Sequence, residues 1–344
     1  MSERLVREVL GSAGTQEEVL VVENMSVSYP SERGLLRAVQ NVSLTISRGQ
    51  MVGLAGESGS GKSTLVLAAT RVLAPPNVVV TGHVRIAGRS VLDLSRRELR
   101  QLRWKTFSFV TQSAMNALNP VMRIRDQMFD TMRAHDATFN KRKARERAEE
   151  VFRMVELPVA KLDNYPHQLS GGMRQRVVIA LAMLMQPELI IMDEPTTALD
   201  VVAQREIITL IRRLQSEQGF AVLLITHDLS LLLEITDEIV VLYGGRVMER
   251  GLVKDLLTNA QHPYSRALIQ SFPPLHGAMH RQEGIPGSPP DLFTPLEGCP
   301  FAPRCSSVID VCRSAMPPLV RHQNSELACH VAGSDMTGGE GRPS

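Results

Sequence analysis

Short runs rich in apolar and β-branched residues alternate along the chain with stretches of helical spacing. The runs predicted as strands are residues 19–22, 39–46, 51–55, 189–192 and 221–225. The last two contain no polar residue, which is typical of strands buried on both faces of a parallel sheet. Helices are predicted from Ser63 to Leu73, where Pro75 follows, and over 201–218, where Gly219 follows. Strands that alternate with helices predict an α/β fold.

Shifts in composition divide the chain into four parts. Residues 1–18 are polar and mixed, and we predict a flexible leader there. Residues 19–255 carry the strand and helix pattern, and their stretch rich in Met, Arg and Glu, about 113–180, is predicted to be a helical insertion. Residues 256–330 form a proline-rich extension that contains all four cysteines. The tail, 331–344, is predicted to be disordered.

The overall composition argues against several classes of function. Lys and Arg total 38 and Asp and Glu total 36, so a formal net charge of +2 speaks against a nucleic-acid binder held by a basic face. Aromatic residues make up 4% of the chain, which is few for stacking on single strands. The charged N-terminus has no apolar signal region, and no apolar run approaches a membrane span. We therefore expect a cytoplasmic protein that has no nucleic-acid partner.

A glycine-rich segment lies between a predicted strand and a predicted helix, which is the setting of a phosphate-binding loop. Its residues are Gly56, Glu57, Ser58, Gly59, Ser60, Gly61, Lys62, Ser63 and Thr64. The glycines let the backbone wrap an anion, and the amides at the start of the helix point toward phosphate oxygens. We expect Lys62 to reach the β- and γ-phosphates of a nucleotide and the Ser63 hydroxyl to ligate Mg²⁺.

Two carboxylates follow the first fully apolar strand. Asp193 is expected at the edge of the sheet where α/β folds bind ligands, and there it can hold Mg²⁺ through water. Glu194 is placed to orient or deprotonate an attacking water. Upstream, Ser170 is the predicted N-cap of a helix in a Leu-Ser-Gly-Gly-Met segment. Two further motifs follow the carboxylates, Thr-Ala-Leu-Asp at 197–200 and Ile-Thr-His-Asp at 225–228.

In their order and spacing, these motifs resemble the nucleotide-binding subunit of ABC transporters over about residues 19–255. The resemblance implies a P-loop cassette made of a RecA-like core, an antiparallel β subdomain and a helical subdomain. It also implies hydrolysis of ATP with Mg²⁺, with the loop residues 56–64 binding ATP and Ser63, Gln112 and Asp193 serving the metal. Glu194, His227 and Gln112 are then the candidate catalytic residues.

The resemblance also implies roles for side chains outside the loop. Tyr29 is similar to the aromatic residue that stacks on adenine, and Gln112 to the glutamine that senses Mg²⁺ or the γ-phosphate. His227 is similar to the switch histidine that contacts the γ-phosphate and holds Glu194. The signature that closes on ATP of the opposite subunit corresponds to Ser170, Gly171 and Gly172. Asp200 corresponds to the D-loop aspartate that couples the two sites. Such a subunit works as half of a dimer, which ATP closes and hydrolysis reopens.

The C-terminal third resembles one branch of that family. Residues 261–268, 284–291 and 299–305 look like the extension of the oligopeptide, dipeptide and nickel permease ATPases, and residues 116–121 are similar to the segment that follows the glutamine in that group. The resemblance implies an importer for peptides, with an oligosaccharide or nickel as other solutes. Its partners would be a second, non-identical ATPase subunit, two transmembrane permease subunits and, indirectly, an extracytoplasmic solute-binding protein. We then expect a peripheral protein at the cytoplasmic face of the membrane.

The cysteines lie close together in the sequence and suggest a metal site rather than disulfides in a reduced compartment. They are Cys299, Cys305, Cys312 and Cys329. Their spacing lacks the C-x2-C pair of common zinc sites, so zinc is the less favoured alternative. Four thiolates can hold a 4Fe-4S cluster, and some members of the resembled group carry one there. Free or oxidised thiols are the third alternative.

Other classes of function fit the sequence less well. A soluble ABC ATPase of DNA repair would insert a long coiled coil, and no sustained heptads occur here. Members that act in translation carry two cassettes, whereas this chain has one. A non-catalytic interaction module would not need Lys62, Asp193, Glu194 and His227 together.

Overall fold

The computed structural model describes residues 17–112, 114–197, 199–271 and 284–332. The predicted leader lies outside these residues except for its last two, and so does all but the beginning of the predicted tail. Within the described part, the first strand already begins at Glu18, one residue earlier than predicted. In this same part of the chain, none of the helices combines the length and the hydropathy needed to cross a membrane.

Strands and helices alternate along the chain, as the apolar pattern predicts. The strands are β1 (Glu18–Ser31), β2 (Gly34–Ser47), β3 (Met51–Ala55), β4 (Val79–Ile86), β5 (Arg89–Ser90), β6 (Phe107–Val110), β7 (Leu189–Asp193), β8 (Ala221–Ile225), β9 (Glu238–Tyr243), β10 (Arg246–Leu252), β11 (Val320–His322) and β12 (Ser325–Leu327). The α-helices are α1 (Lys62–Ala69), α2 (Arg96–Leu102), α3 (Ile124–His135), α4 (Lys141–Met154), α5 (Gly171–Met183), α6 (Val201–Gln218), α7 (Leu229–Ile235), α8 (Val253–Asn259), α9 (Pro263–Gln270) and α10 (Val311–Ser314).

The larger sheet positions the carboxyl ends of its strands along one edge. Its strand order is β11-β12-β10-β9-β3-β8-β7-β6, and the neighbours from β9 to β6 run parallel. Every residue of β3, β7 and β8 is buried, which confirms the prediction of buried parallel strands. The smaller sheet is antiparallel, in the order β2-β1-β4-β5. Side chains from both sheets, among them Leu54, Val84 and Phe107, form a common core.

Helices α3, α4 and α5 follow one another between β6 and β7, in the region predicted as the insertion. Ala148, Val151 and Phe152 bury the inner face of α4. On its outer face, Arg142 pairs with Glu146 at 3.0 Å, four residues along the helix. The charged run at the start of this helix therefore lies on a solvated face.

Helix α1 ends four residues before the predicted end at Leu73, so that prediction was wrong. The Thr70 hydroxyl donates to the carbonyls of Val66 at 2.8 Å and Leu67 at 3.3 Å, and the second of these is the acceptor that the Arg71 amide would need to continue the helix. Arg71 then takes a positive φ of 54°, and a left-handed residue cannot continue the helix. The stop comes from the backbone at Arg71 and not from the later prolines.

The proline-rich extension shares its core with the rest of the chain. Its hairpin β11–β12 joins the large sheet through β10, with Leu327 opposite Glu249. Tyr264 of α9 and Phe301 pack against Tyr243 of β9, with ring centroids 4.5 and 5.4 Å from that of Tyr243. These aromatic contacts place the extension directly beside the phosphate loop, which begins next to β9.

Candidate functional site

The phosphate loop of residues 56–64 joins β3 to α1 in a shape that glycine alone allows. Gly56 has φ +144° and Gly61 has φ +100°. A Cβ on Gly56 would overlap the carbonyl oxygen of Leu242, and one on Gly61 would overlap that of Ala38. The loop backbone therefore lies directly against β9 and β2, with the first amides of α1 left to face an anion.

Lys62 lies inside this loop. Its Nζ donates to the carbonyl oxygens of Gly56 at 2.7 Å and Glu57 at 2.9 Å, and to Ser60 Oγ at 3.3 Å. Burial lowers the pKa of Lys62, while the carboxylates of Glu194, Asp193 and Glu57 act in the opposite direction. The ammonium is thus placed where it can bind the phosphates of a nucleotide.

Ser63 and Asp193 meet across the site, as the sequence predicts for a pair that serves Mg²⁺. Ser63 donates its hydroxyl to Asp193 Oδ1 at 3.2 Å. Asp193 is the last residue of β7 and is 5% exposed. Burial raises the pKa of Asp193, and the Ser63 hydroxyl opposes that shift. One hydroxyl and one carboxylate, with phosphate oxygens and waters, match the way Mg²⁺ is usually bound at nucleotides.

Glu194 is held in place by three contacts. Its backbone has a positive φ of 54°, a strained conformation for a residue with a side chain, and its amide donates to Ile225 at 2.8 Å. Its Oε2 accepts the Thr197 hydroxyl at 2.8 Å and lies 2.6 Å from His227 Nδ1. His227 is 73% exposed, whereas Glu194 is 14% exposed. The predicted pairing of Glu194 with His227 is therefore present, and Thr197 is a partner that the sequence reasoning missed.

Tyr29 lies on β1 beside the end of the phosphate loop. Its hydroxyl donates to Thr64 Oγ1 at 3.3 Å, and its ring is half-buried against the core shared by the two sheets. The structure thus brings Tyr29 to the predicted nucleotide site. Stacking of its ring on adenine stays a prediction.

Gln112 follows β6, the strand next to β7, and its side chain is exposed. No contact among the described residues joins it to Ser63 or Asp193. Its strand nevertheless ends at the same edge of the sheet, because β6 and β7 are parallel and in register from Phe107 to Val110. Its role toward Mg²⁺ stays a prediction.

The predicted signature and D-loop residues lie at the starts of helices. Ser170 is exposed and caps α5 by accepting the amide of the third residue after it at 3.3 Å. A Cβ added to Gly172 would meet open space, and one on Gly171 would only touch Leu199. Asp200 caps α6 in the same way, at 2.9 Å. The signature thus presents a serine and two glycines that leave room for a ligand from outside.

The four cysteines are unpaired thiols, of which Cys312 is buried. The amide of Cys299 donates to the carbonyl of Cys312 at 2.8 Å. Burial raises the pKa of Cys299 to about 11, and a backbone hydrogen bond at Phe301 opposes that shift. Across the described ranges, no three His, Cys, Asp or Glu side chains are arranged to hold a metal ion. The predicted metal site, with a 4Fe-4S cluster or zinc, is therefore not confirmed.

Two family profiles match the chain. One, described as ABC transporter, matches residues 39–197, and the other, described as oligopeptide/dipeptide transporter, C-terminal region, matches residues 248–312. The first match contains the phosphate loop, Ser170 and Glu194. The second begins in β10 and contains three of the four cysteines.

Similar proteins cover nearly the whole chain. It is 38% identical over 315 residues to a dipeptide transport ATP-binding protein of Caldanaerobacter subterraneus subsp. tengcongensis, a match that spans 91% of this chain and 97% of the relative. It is 40% identical over 303 residues to an oligopeptide transport ATP-binding protein of Salmonella typhimurium, over 88% of this chain and 90% of the relative. A dimeric ATP-binding cassette bound to ADP and phosphate superposes with a TM-score of 0.60 at 30% identity, over 68% of this chain and 98% of that cassette.

The comparisons and the geometry agree. The large sheet, parallel from β9 to β6, and the smaller antiparallel sheet form the predicted cassette fold, and the solved cassette has the same architecture. The loop lysine, the Ser63–Asp193 pair and the Glu194–His227 pair lie together where β3, β7 and β8 end. This chain is an ATPase that belongs to the ABC transporter family, within its oligopeptide and dipeptide transporter branch.

Proposed function

We propose that this chain is the ATP-hydrolysing subunit of an importer for peptides. The observation that carries the proposal is the match to peptide transport ATP-binding proteins through both the cassette and the extension, over about nine tenths of the chain. An oligosaccharide or nickel importer is the alternative within the same branch. A soluble ATPase of DNA repair or translation is not favoured, because the extension belongs to transporters.

In this proposal, the loop residues 56–64 bind the triphosphate, and Ser63 and Asp193 hold the Mg²⁺ that accompanies ATP. Glu194 orients and deprotonates the attacking water, and His227 holds Glu194 and contacts the γ-phosphate. His227 Nδ1 lies 2.6 Å from Glu194 Oε2 and so fixes the orientation of that carboxylate. This supports both roles, because a general base must be held within hydrogen-bond reach of its water. Tyr29 stacks on adenine, and Gln112 senses Mg²⁺ or the γ-phosphate.

The site is completed by a second subunit in this proposal. Ser170, Gly171 and Gly172 of one cassette close on ATP bound to the other, and Asp200 couples the two sites. The exposed Ser170 and the open space at Gly172 support the proposal, since both are free to meet a ligand from outside. ATP then stabilises the closed dimer, and its hydrolysis shifts the population back to the open one.

We further propose which subunits this chain binds and where in the cell it acts. The second ATPase is a non-identical paralogue, and both contact two transmembrane permease subunits at the cytoplasmic face of the membrane. An extracytoplasmic binding protein delivers the solute. In this proposal, residues 19–255 form the cassette that hydrolyses ATP, and residues 256–330 form the extension that packs beside it.

The solute class can be tested by the ATPase activity of the assembled transporter. We expect the binding protein loaded with dipeptides or oligopeptides to raise ATP hydrolysis several-fold, because a delivered solute shifts the dimer toward closure. The same binding protein offered an oligosaccharide or Ni²⁺ should leave the rate at its basal value. Stimulation by either of these instead of by peptides would assign the other solute.

We also propose that the four thiols, Cys299, Cys305, Cys312 and Cys329, hold a 4Fe-4S cluster that braces the extension. The four thiols are free, and the other three lie near enough to Cys299 to act on its pKa, which supports the proposal. The four cysteines would hold the cluster through their thiolates. When bound, such a cluster supplies a covalent cross-link between four chain positions.

Anaerobically purified protein should then contain about four iron and four sulfide per chain, with broad absorbance near ~400 nm. Cys305→Ser should lose most of the iron, whereas Ser306→Ala, one residue away, should keep it. Stoichiometric zinc without iron, or neither metal, would reject the cluster.

A further inference from the structure

The extension reaches the phosphate loop through one arginine, Arg304. Its Nη1 donates to Glu57 Oε2 at 2.7 Å and its Nη2 to Glu57 Oε1 at 3.0 Å. This is the two-pronged geometry in which a guanidinium binds a carboxylate most strongly. Glu57 is the second residue of the loop, directly after Gly56. An ion pair therefore links the C-terminal extension to the backbone that wraps the triphosphate.

Arg304 is fixed in that orientation by its remaining donors. Nη1 also donates to Tyr243 Oη at 2.9 Å, Nη2 to the carbonyl of Ile285 at 2.8 Å, and Nε to the carbonyl of Pro286 at 2.7 Å. All five N–H groups of the guanidinium are thus used, and the side chain is 5% exposed. A buried arginine with every donor satisfied is rigid, so it fixes the carboxylate that it binds.

The backbone of Glu57 is held by the same extension and also contacts Lys62 of the phosphate loop. Its amide donates to Tyr264 Oη of α9 at 2.9 Å, and Tyr264 is fully buried. Its carbonyl accepts from Lys62 Nζ at 2.9 Å. Both the side chain and the amide of Glu57 therefore bind extension residues, while its carbonyl helps to place Lys62.

Electrostatics gives this arrangement a consequence for ATP binding. Glu57 brings a negative charge into the loop that must bind a triphosphate, and a carboxylate repels phosphate groups of the same charge. Arg304 neutralises that charge and keeps the carboxylate turned toward the extension. We propose that Arg304 is a positioning residue for ATP: through Glu57 it sets the conformation and the charge of the phosphate loop, so that the extension contributes to nucleotide affinity.

The proposal is tested on the full-length protein by equilibrium binding of a fluorescent ATP analogue with Mg²⁺ and by ATPase kinetics. We expect Arg304→Gln to weaken ATP binding and to raise KM for ATP by about tenfold, because an unpaired carboxylate then faces the triphosphate. Turnover at saturating ATP should change less than about twofold, since Arg304 touches no reacting group. Arg304→Lys keeps the positive charge but cannot form both hydrogen bonds to the Glu57 carboxylate. It should therefore bind ATP more tightly than Arg304→Gln and more weakly than the wild type.

A double-mutant cycle separates this role from a purely structural one. In a Glu57→Gln background, Arg304→Gln should weaken ATP binding less than about twofold further, because the charge to be neutralised is gone. Arg321→Gln, at an exposed position of β11 in the same extension, serves as the matched control and should bind ATP as the wild type does. Thermal unfolding of each variant identifies any that fails to fold.

Wild-type ATP affinity of Arg304→Gln would overturn the proposal, and so would an equal tenfold loss in the Glu57→Gln background. If Arg304→Gln does not fold, Arg304→Lys decides the matter. Weaker binding with unchanged saturating turnover supports the role, and wild-type affinity of that variant rejects it. None of these readouts depends on which solute is transported. The inference is therefore tested independently of the proposed import of peptides.

Discussion

Replacing Glu194 with glutamine is expected to lower the rate of ATP hydrolysis by about a thousandfold, the usual range for loss of a general base. The amide keeps the shape of the side chain and can still accept the Thr197 hydroxyl, which lies 2.8 Å from Oε2 in the wild type. It cannot take a proton from water. ATP binding should remain, because the contacts of Lys62 and the Ser63–Asp193 pair are untouched.

This variant should therefore accumulate as a closed dimer in ATP and Mg²⁺, which size-exclusion chromatography with light scattering would detect. Release of phosphate measures turnover in the same samples. Glu206→Gln, an exposed carboxylate on α6, is the matched control and should hydrolyse ATP at the wild-type rate. Wild-type turnover in the Glu194 variant would defeat the assignment of the base.

Gly56→Ala is expected to abolish ATP binding and to lower the free energy of unfolding by about 3 kcal/mol. The added Cβ would overlap the Leu242 carbonyl oxygen, which belongs to the backbone of β9 and cannot swing aside, and would lie 2.8 Å from Ser60 Oγ. The positive φ of Gly56, +144°, is also strained for alanine. The loop must therefore shift away from β9 and lose the shape that its amides need.

Gly88→Ala is the matched control for this prediction. Gly88 also has a positive φ, +74°, but a Cβ there meets nothing within 4 Å. We expect it to lose about 1 kcal/mol of stability from backbone strain alone and to bind ATP normally. Urea unfolding gives both stability differences, and nucleotide titration gives the affinities. Equal behaviour of the two variants would mean that the contact with β9 does not shape the loop.

Much of the ATP site could be predicted from sequence because its residues sit at fixed places on regular elements. A loop between β3 and α1 and carboxylates at the end of β7 meet at one edge of a parallel sheet, so Lys62, Ser63, Asp193 and Glu194 had to lie together. The Glu194–His227 pair was expected from the family resemblance, and the structure gives its physical basis, since His227 comes after the neighbouring strand β8.

The rest depends on tertiary contacts that leave no local pattern. The early end of α1 results from the backbone of Arg71, whose positive φ no sequence rule assigns to arginine. The link from Arg304 to Glu57 joins residues 247 positions apart. Arg304 lies in the segment 299–305, three residues after Phe301, and nothing in that segment alone shows that the arginine is buried. Its partner could be identified only once the extension was seen against β9.

We propose that ATP hydrolysis at the Glu194–His227 site powers peptide import. It is tested most directly by uptake of a labelled peptide into proteoliposomes that hold the assembled transporter, with the binding protein outside and ATP with Mg²⁺ inside. We expect uptake with the wild-type chain and none above background with Glu194→Gln, although that variant still binds ATP. Equal uptake by the two, or uptake by the wild type without ATP, would contradict the account.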